Sequence, residues 1–229
     1  MIIKYIHHSC FLINVDGLKI VVDPYVNNED GQKEIKDADF VLISHGHNDH
    51  TDGLKYISHA TIITNFELSQ YFGKKYNTIG MNFGGKVTIK HGGKTVTVSM
   101  VKALHTSSIN IGDKIMYGGE PAGFIISDGL KTIYFMGDTD VFTDMKLICD
   151  YYKPDVTIVP IGGHYTMDTS KAIYAINNLL KTEAVIPMHF NYVEEKHYPI
   201  DITKKEFDDF VKKSKIKIKR LNKLQEVEI

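Results

Sequence analysis

The stretch Leu42–Gly53, LISHGHNDHTDG, constrains the fold of this chain more than any other segment. It sets three histidines and two aspartates at the end of an apolar run, DADFVLIS, that reads as a buried strand. Imidazoles and carboxylates brought out of water are costly unless they are paired or bind a cation. A lone histidine in a core is ordinary, but three within six residues beside aspartates are not explained by packing. His45 and His47 are two apart, so their side chains converge only if the backbone turns, and Gly46 lets it; Asp49 and His50 then fall at the start of a helical segment. These are the donors that borderline divalent metals prefer. The same abrupt change from apolar to polar recurs at His105 after VSMVKAL, Asp138 in YFMGDTD and His189 in VIPMHF. Together the five histidines and two aspartates suffice for two adjacent metals.

The rest of the chain says how such strand ends are brought together. MIIKYI, ATIITN and KTVTVSMVKAL read as strands, FELSQYFGKKY as a helix, and CFLINVDGLKIVVDPY as a hairpin turning at Asp16-Gly17. The second half repeats the first. GFIISDGLKTIYFMGDTD is again a hairpin through Asp-Gly, KPDVTIVPIGGHYTM parallels DADFVLISHGHNDH, and EAVIPMHFN parallels ATIITN. Strands interleaved with helices in a duplicated plan predict an α/β fold with two sheets face to face and helices outside, in one domain over residues 1–229. Functional loops gather at strand ends in such sheets. That places Asp23, the His45 loop, Asp138, the His164 loop and His189 along one edge.

Composition removes several function classes. Hydrophobic residues at 43% and charged residues at 24% indicate a globular chain rather than a disordered one. The N-terminal residues lack the pattern of a secretion signal, and no window approaches the roughly 18 apolar residues of a membrane span. Cys10 and Cys149 are the only cysteines, which fits a reducing cytoplasm rather than a disulfide framework. A net charge of −1 offers a polyanion no global attraction. The basic segment Lys212–Lys223 alternates lysine with isoleucine, as the solvated face of a late strand would.

His45, His47, Asp49 and His50 match H-x-H-x-D-H, and the chain resembles a metallo-β-lactamase superfamily hydrolase. His105, Asp138 and His189 match that family's later histidine, bridging aspartate and final histidine, in order. More narrowly, HHSCFLI, YGGEPAGFII, GDT, PIGGHYTM and IPMHFN resemble a branch of small predicted metal-dependent hydrolases related to ascorbate-6-phosphate lactonases. The resemblance spans nearly the whole chain and implies the four-layer αββα sandwich. It also implies one metal on His45, His47 and His105, another on Asp49, His50 and His189, and Asp138 bridging them. Two metals about 3.5–4 Å apart, sharing a hydroxide as the attacking group, can clamp a displacement and activate water near neutral pH. The all-nitrogen and oxygen donor set admits zinc first, with manganese, iron or nickel as alternatives. A glutamate in place of His47 would have matched the redox-iron branch of the family; the histidine favours hydrolysis.

Around this set, Asp49 and His164 are the catalytic candidates. His164 follows Gly162-Gly163 in the loop equivalent to the metal loop, where it could anchor substrate or protonate a leaving group. Tyr165 and His197 are weaker candidates for the same wall. His8 and Ser9 read either as hydrogen-bonding neighbours of a ligand or, equally, as a satisfied strand end, and Asp23 as a residue that orients a ligand histidine or initiates the turn at Pro24. Thr106 and Ser107 read as local backbone partners before substrate contacts. Cys10 reads as core, and Glu120 has no reading. The function expected is hydrolysis of a small ester, lactone or amide. A phosphodiesterase or nuclease with the same site is the alternative, and a metal sensor without turnover comes third. The nucleases of the family carry RNA-binding arms or a further domain for which this chain has no room. The expected partner is a small-molecule substrate, with homo-oligomerisation compatible with the sequence and neither membrane nor nucleic acid expected.

Overall fold

The structure is a computed structural model describing residues 1–229. Its strands begin with β1 (Ile2–His7), β2 (Cys10–Val15), β3 (Leu18–Val22), β4 (Phe40–Leu42), β5 (Thr61–Asn65) and β6 (Asn77–Met81). They continue with β7 (Lys86–His91), β8 (Lys94–Lys102), β9 (Ser108–Ile111), β10 (Lys114–Tyr117), β11 (Ala122–Ser127) and β12 (Thr132–Phe135). The last are β13 (Val156–Pro160), β14 (Ala184–Met188), β15 (Asn191–Val193), β16 (Asp201–Thr203), β17 (Lys217–Ile218) and β18 (Glu226–Glu228). The helices are α1 (Glu29–Ile35), α2 (Asn48–Thr51), α3 (Phe66–Phe72), α4 (Asp144–Tyr152), α5 (Thr169–Asn178) and α6 (Lys204–Lys213).

Two seven-stranded sheets carry the fold, ordered β18-β1-β2-β3-β4-β5-β6 and β17-β14-β13-β12-β11-β8-β7. The duplication read from the sequence is real at the level of pairing. In the first sheet β18, β1, β2 and β3 pair antiparallel, then β3 to β6 pair parallel. In the second, β7, β8, β11 and β12 pair antiparallel, then β12, β13, β14 and β17 pair parallel. The hairpin between β2 and β3 closes with Val15 opposite Leu18, and both turn residues, Asp16 and Gly17, take positive φ. That is the geometry for which Asp-Gly is suited.

Alternation within the strands assigns the layers, because successive side chains point to opposite faces. Phe11, Ile13, Leu18, Ile20 and Leu42 of the first sheet meet Met100, Phe124, Phe135, Ile158 and Ile186 of the second in one buried core. Leu12, Val21 and Val41 turn the other way, to pack with Ile35 of α1 and Leu68 of α3. Tyr134, Val159 and Val185 likewise pack against α4, α5 and α6 through Ile148, Ile176 and Phe210. Strands apolar on both faces therefore lie between helices, the four-layer αββα arrangement. No helix is long and apolar enough to cross a membrane.

One local expectation is corrected. Of the basic segment Lys212–Lys223, Lys212 and Lys213 end α6 and only Lys217–Ile218 are strand. A capping box at Thr203 and Glu206 starts α6, and Phe207 and Phe210, three residues apart, bury its inner face. This helical signal runs past the point where the lysine–isoleucine alternation begins. The hairpin β9-β10 is an addition that the sequence reading did not foresee; it pairs with neither large sheet.

Phe11 and Phe135 join the two sheets, their rings 6.3 Å apart and edge to face. Both are fully buried. Phe11→Ala is expected to lower unfolding stability by about 3–5 kcal/mol, the range for truncating a core aromatic. Urea unfolding measures it, and a loss below about 1 kcal/mol would show that this contact does not hold the sheets together.

Candidate metal centre

The site is built at the ends of β1, β3, β4, β8, β12 and β14, and its foundation is Asp23. This carboxylate, fully buried just past β3, accepts the Ser44 backbone N–H at 2.7 Å and the Ser44 hydroxyl at 2.6 Å. His50 Nδ1 donates to it at 2.7 Å. Ser44 Oγ also lies 2.9 Å from His45 Nδ1. Because the hydroxyl proton is given to Asp23, the oxygen must accept from His45, so His45 and His50 both carry their proton on Nδ1. His45, held neutral by burial, is left with a bare Nε2. At His50 burial is outweighed by Asp138 and Asp23, which raise it well above the ordinary histidine range, so its Nε2 is freed only when a proton leaves. A carboxylate that fixes tautomer and ring orientation in this way is the usual support of a metal-binding histidine. Asp23 thus has the orienting role rather than only that of starting a turn.

Gly46 is required for a reason other than the one inferred from spacing. Its φ is not in the left-handed region, but a Cβ there would lie 2.6 Å from the Ser108 carbonyl oxygen. Ser107 completes this seam, accepting the Gly46 N–H at 3.2 Å and donating to the Gly118 carbonyl at 2.9 Å. It therefore makes the backbone contacts expected of it, whereas Thr106 is exposed. Glu120 acquires a role at the same place, accepting the Tyr117 hydroxyl at 2.6 Å.

The Nε2 atoms converge on Asp138. Its Oδ2 lies 2.9 Å from His189 Nε2, 3.3 Å from His50 Nε2, 3.8 Å from His105 Nε2 and 4.0 Å from His45 Nε2. His47 joins the cluster through its ring, 4.6 Å from that of His45 and 5.2 Å from that of His105. Asp49 Oδ2 stands 3.7 Å from His189 Nε2 and 3.8 Å from His50 Nε2. All seven residues singled out from the sequence are thus brought together. His8 joins them, its Nε2 3.1 Å from Asp49 Oδ2 and its ring 4.1 Å from that of His189. Three sets have donor atoms within 4.8 Å of one another: His45, His47 and His105; His8, Asp49, His50 and His189; and Asp23, His45 and His50, the last being the hydrogen-bonded support described above.

The fit to cations is read from unpaired atoms. Nε2 of His45, His50 and His189 and Oδ1 of Asp138 are buried and lack a well-aligned hydrogen bond. The nearest charged neighbour of His189 Nε2 and His50 Nε2 is the Asp138 carboxylate, at 2.9 and 3.3 Å. Buried polar atoms without partners are rare, and several facing one point need a shared partner, which a cation supplies. Electrostatics differ between the two sets. Burial holds His45 well below the ordinary histidine range and lowers His47 and His105 as well, so all three are neutral donors. Burial opposes ionisation of Asp138 too, but His50 and His189 overcome it and hold its carboxyl well below the usual carboxylate range. In return His189, which burial alone would depress, is raised to about 9 by Asp138. A cation entering this half displaces a proton.

Strain is concentrated here. His8, Asp23, His164 and His189 all have positive φ, which is uncommon for residues other than glycine and clusters at functional sites. At the end of β14 the His189 N–H donates to the His8 carbonyl at 3.1 Å, so the two sheets meet in the centre of the site. His164 is exposed in the loop after β13, its ring edge-on to Tyr165 at 4.4 Å. Tyr165, with His7, His8, Asp49 and His189, lines a cleft that opens on the cluster. His197 is exposed, and its backbone N–H caps Asp201 at 2.8 Å. Cys10 is buried core, its thiol pushed up to about 12 by burial. His8 thus has the place beside a ligand that its functional reading gave it, with Asp49 as the partner, which depends on the turn between β1 and β2.

Comparison with known proteins agrees with this geometry. A family model described as a beta-lactamase superfamily domain matches residues 2–189, from the first strand to His189. A UPF0173 metal-dependent hydrolase of Nanoarchaeum equitans is 42% identical over 196 residues, 83% of this chain and 84% of the relative. One of Methanosphaera stadtmanae is 38% identical over 219 residues, 91% and 92% of the two chains. Among solved structures, Igni18, a metallo hydrolase of the archaeon Ignicoccus hospitalis, aligns with a TM-score of 0.80 at 33% identity, covering 99% of this chain and 98% of its own. An isothiocyanate hydrolase from Delia radicum gut bacteria shares the fold, with a TM-score of 0.76 at 17% identity over 100% of this chain and 99% of its own. Likeness of this length and identity establishes kinship: the chain belongs to the beta-lactamase superfamily and, within it, to the UPF0173 metal-dependent hydrolases.

Proposed function

We propose that the chain hydrolyses a small ester, lactone or amide with two divalent transition-metal ions, zinc being the first choice. His45, His47 and His105 would hold one ion and Asp49, His50 and His189 the other, with Asp138 between them. The observation that carries this reading is the set of buried Nε2 atoms of His45, His50 and His189, none with a well-aligned hydrogen bond, around an ionised Asp138. When bound, such a pair of ions supplies Lewis acidity and a water nucleophile at neutral pH.

The remaining work falls to the protein's own side chains. Asp23 and Ser44 hold the His45 and His50 rings in one orientation with Nδ1 protonated, so neither ring need turn when a cation arrives. His8 steadies Asp49 through their 3.1 Å contact. Asp49 would both ligate and keep the attacking water oriented. His164 is free of the cluster and stands beside the cleft wall at Tyr165, where it would protonate the leaving group or stabilise the developing oxyanion.

Two expected outcomes test this reading. Elemental analysis of protein purified with excess zinc should give about two ions per chain. Asp138→Ala should lose at least one of them together with hydrolysis, while circular dichroism stays unchanged. Retention of both ions at wild-type affinity would remove Asp138 from its place between them. His164→Ala should leave metal content and Tm nearly unchanged and lower turnover by about 100- to 10,000-fold. Equal turnover on a substrate the wild type clearly prefers would make His164 a bystander, and loss of metal would make it a ligand.

A further inference from the structure

The cluster is reached through a cavity of about 390 Å³ whose floor is His8, Asp49 and His189. Its walls are aromatic, and the three tyrosines come from separate parts of the fold. Tyr25 follows β3, Tyr165 follows β13, and Tyr198 lies between β15 and β16. Tyr25 packs within the cleft, whereas Tyr165 and Tyr198 stand at its mouth, 60% and 69% exposed. Tyr25 stacks on His7 at 5.4 Å and meets the edge of His8 at 5.6 Å. Tyr165 packs against the His164 ring, and the Tyr198 backbone N–H donates to Asp201 at 2.7 Å. Pro199 and Ile200 extend the apolar surface.

Charge tells as much as shape. No lysine or arginine lines this cavity, and its one carboxylate is Asp49. Arg220 and Lys223 line an adjoining cavity that shares His7 and Asn191 with this one, and Arg220 is stacked over Tyr192 at 4.1 Å. A phosphate or carboxylate on the substrate would find no lysine or arginine in the lining to pair with, Lys223 acting only from beyond His7. The lysine-lined alternative, with Lys55, Lys74 and Lys75, lies on the other side of the metal loop and touches none of the seven clustered side chains. Aromatic rings favour offset or edge-on ring partners within several ångströms, and a cavity of this volume suits a ligand of one or two rings.

We propose that this cleft is the specificity pocket and takes an uncharged, planar aryl group carried by the substrate, held among Tyr25, Tyr165 and Tyr198. The inference rests on the hydrolytic reading above and narrows its substrate class to neutral aryl esters, lactones or amides.

The test uses the zinc-loaded full chain and three methyl esters: 2-naphthoate, its fully saturated decahydro counterpart, and a naphthoate with a second, free carboxylate. The neutral naphthoate should be preferred over both by at least about tenfold in kcat/KM. Tyr165→Ala and Tyr198→Ala should each shrink that preference by about threefold to tenfold, through KM rather than kcat, and Tyr198→Phe should restore it. Equal rates on all three esters, or preference for the carboxylated one, would overturn the proposal. If no ester turns over, the hydrolytic reading loses support, and calorimetric titration with 2-acetonaphthone, which cannot be hydrolysed, decides the cleft separately. Saturable binding weakened about tenfold in Tyr198→Ala upholds the pocket, and absence of binding in the wild type overturns it.

Discussion

A single buried carboxylate, Asp23, organises the site. It takes up a backbone N–H, a hydroxyl and the His50 imidazole N–H, so its charge is satisfied without a lysine or arginine. Hydrogen bonds to an ionised acceptor are among the stronger ones in proteins, and here all of them serve one purpose. They turn two histidines so that their Nδ1 protons face inward and their Nε2 atoms face the cleft. Without Asp23, His45 and His50 could each adopt either tautomer and rotate, and the convergence on Asp138 would lose its geometric basis. The residue touches no substrate, yet the arrangement of those that would depends on it.

The two sheets share a pairing plan but divide the chemistry unequally. After β4, the first half supplies a loop and a short helix bearing His45, His47, Asp49 and His50. The equivalent loop after β13 carries only His164 and Tyr165, which lie outside the cluster. The second half contributes three donors, His105 after β8, Asp138 after β12 and His189 after β14, the last two standing where Asp23 and the end of β5 stand in the first. One half therefore holds most of the donors, while the other closes the centre and shapes the approach to it. A scaffold of this kind lets a loop vary without disturbing the strands that fix the reacting groups.

Much of this was legible in the residues. The seven donors could be picked out because each breaks an apolar run, and burial makes such breaks expensive. The sandwich followed from the doubled succession of hairpin, strand and strand, with Asp-Gly at the tight turns. Other features depend on contacts between distant segments and leave no local trace. Lys212 and Lys213 belong to a helix because Phe207 and Phe210 find a core to enter. Gly46 is fixed by the approach of Ser108, 62 positions later in the chain, and not by its own φ. The place of His8 beside Asp49 is set by a turn whose sequence, His8-Ser9, carries no conventional turn signal.

The order of strands in the first sheet bears on how the molecule can be assembled. Its edge strand β18 comes from residues 226–228, with Ile2 opposite Glu228 and the Ile229 N–H donating to the Met1 carbonyl. During synthesis the N-terminal strands emerge first, but the outer flank of β1 remains unpaired until about two hundred residues later. An open flank of that sort invites pairing with another chain. Lys4 and Glu226, brought 3.6 Å apart across this junction, place charges along it that disfavour an intruding apolar strand. Zipping up that last ladder spans nearly the greatest sequence separation available, and its loop-closure entropy makes it a late event in folding.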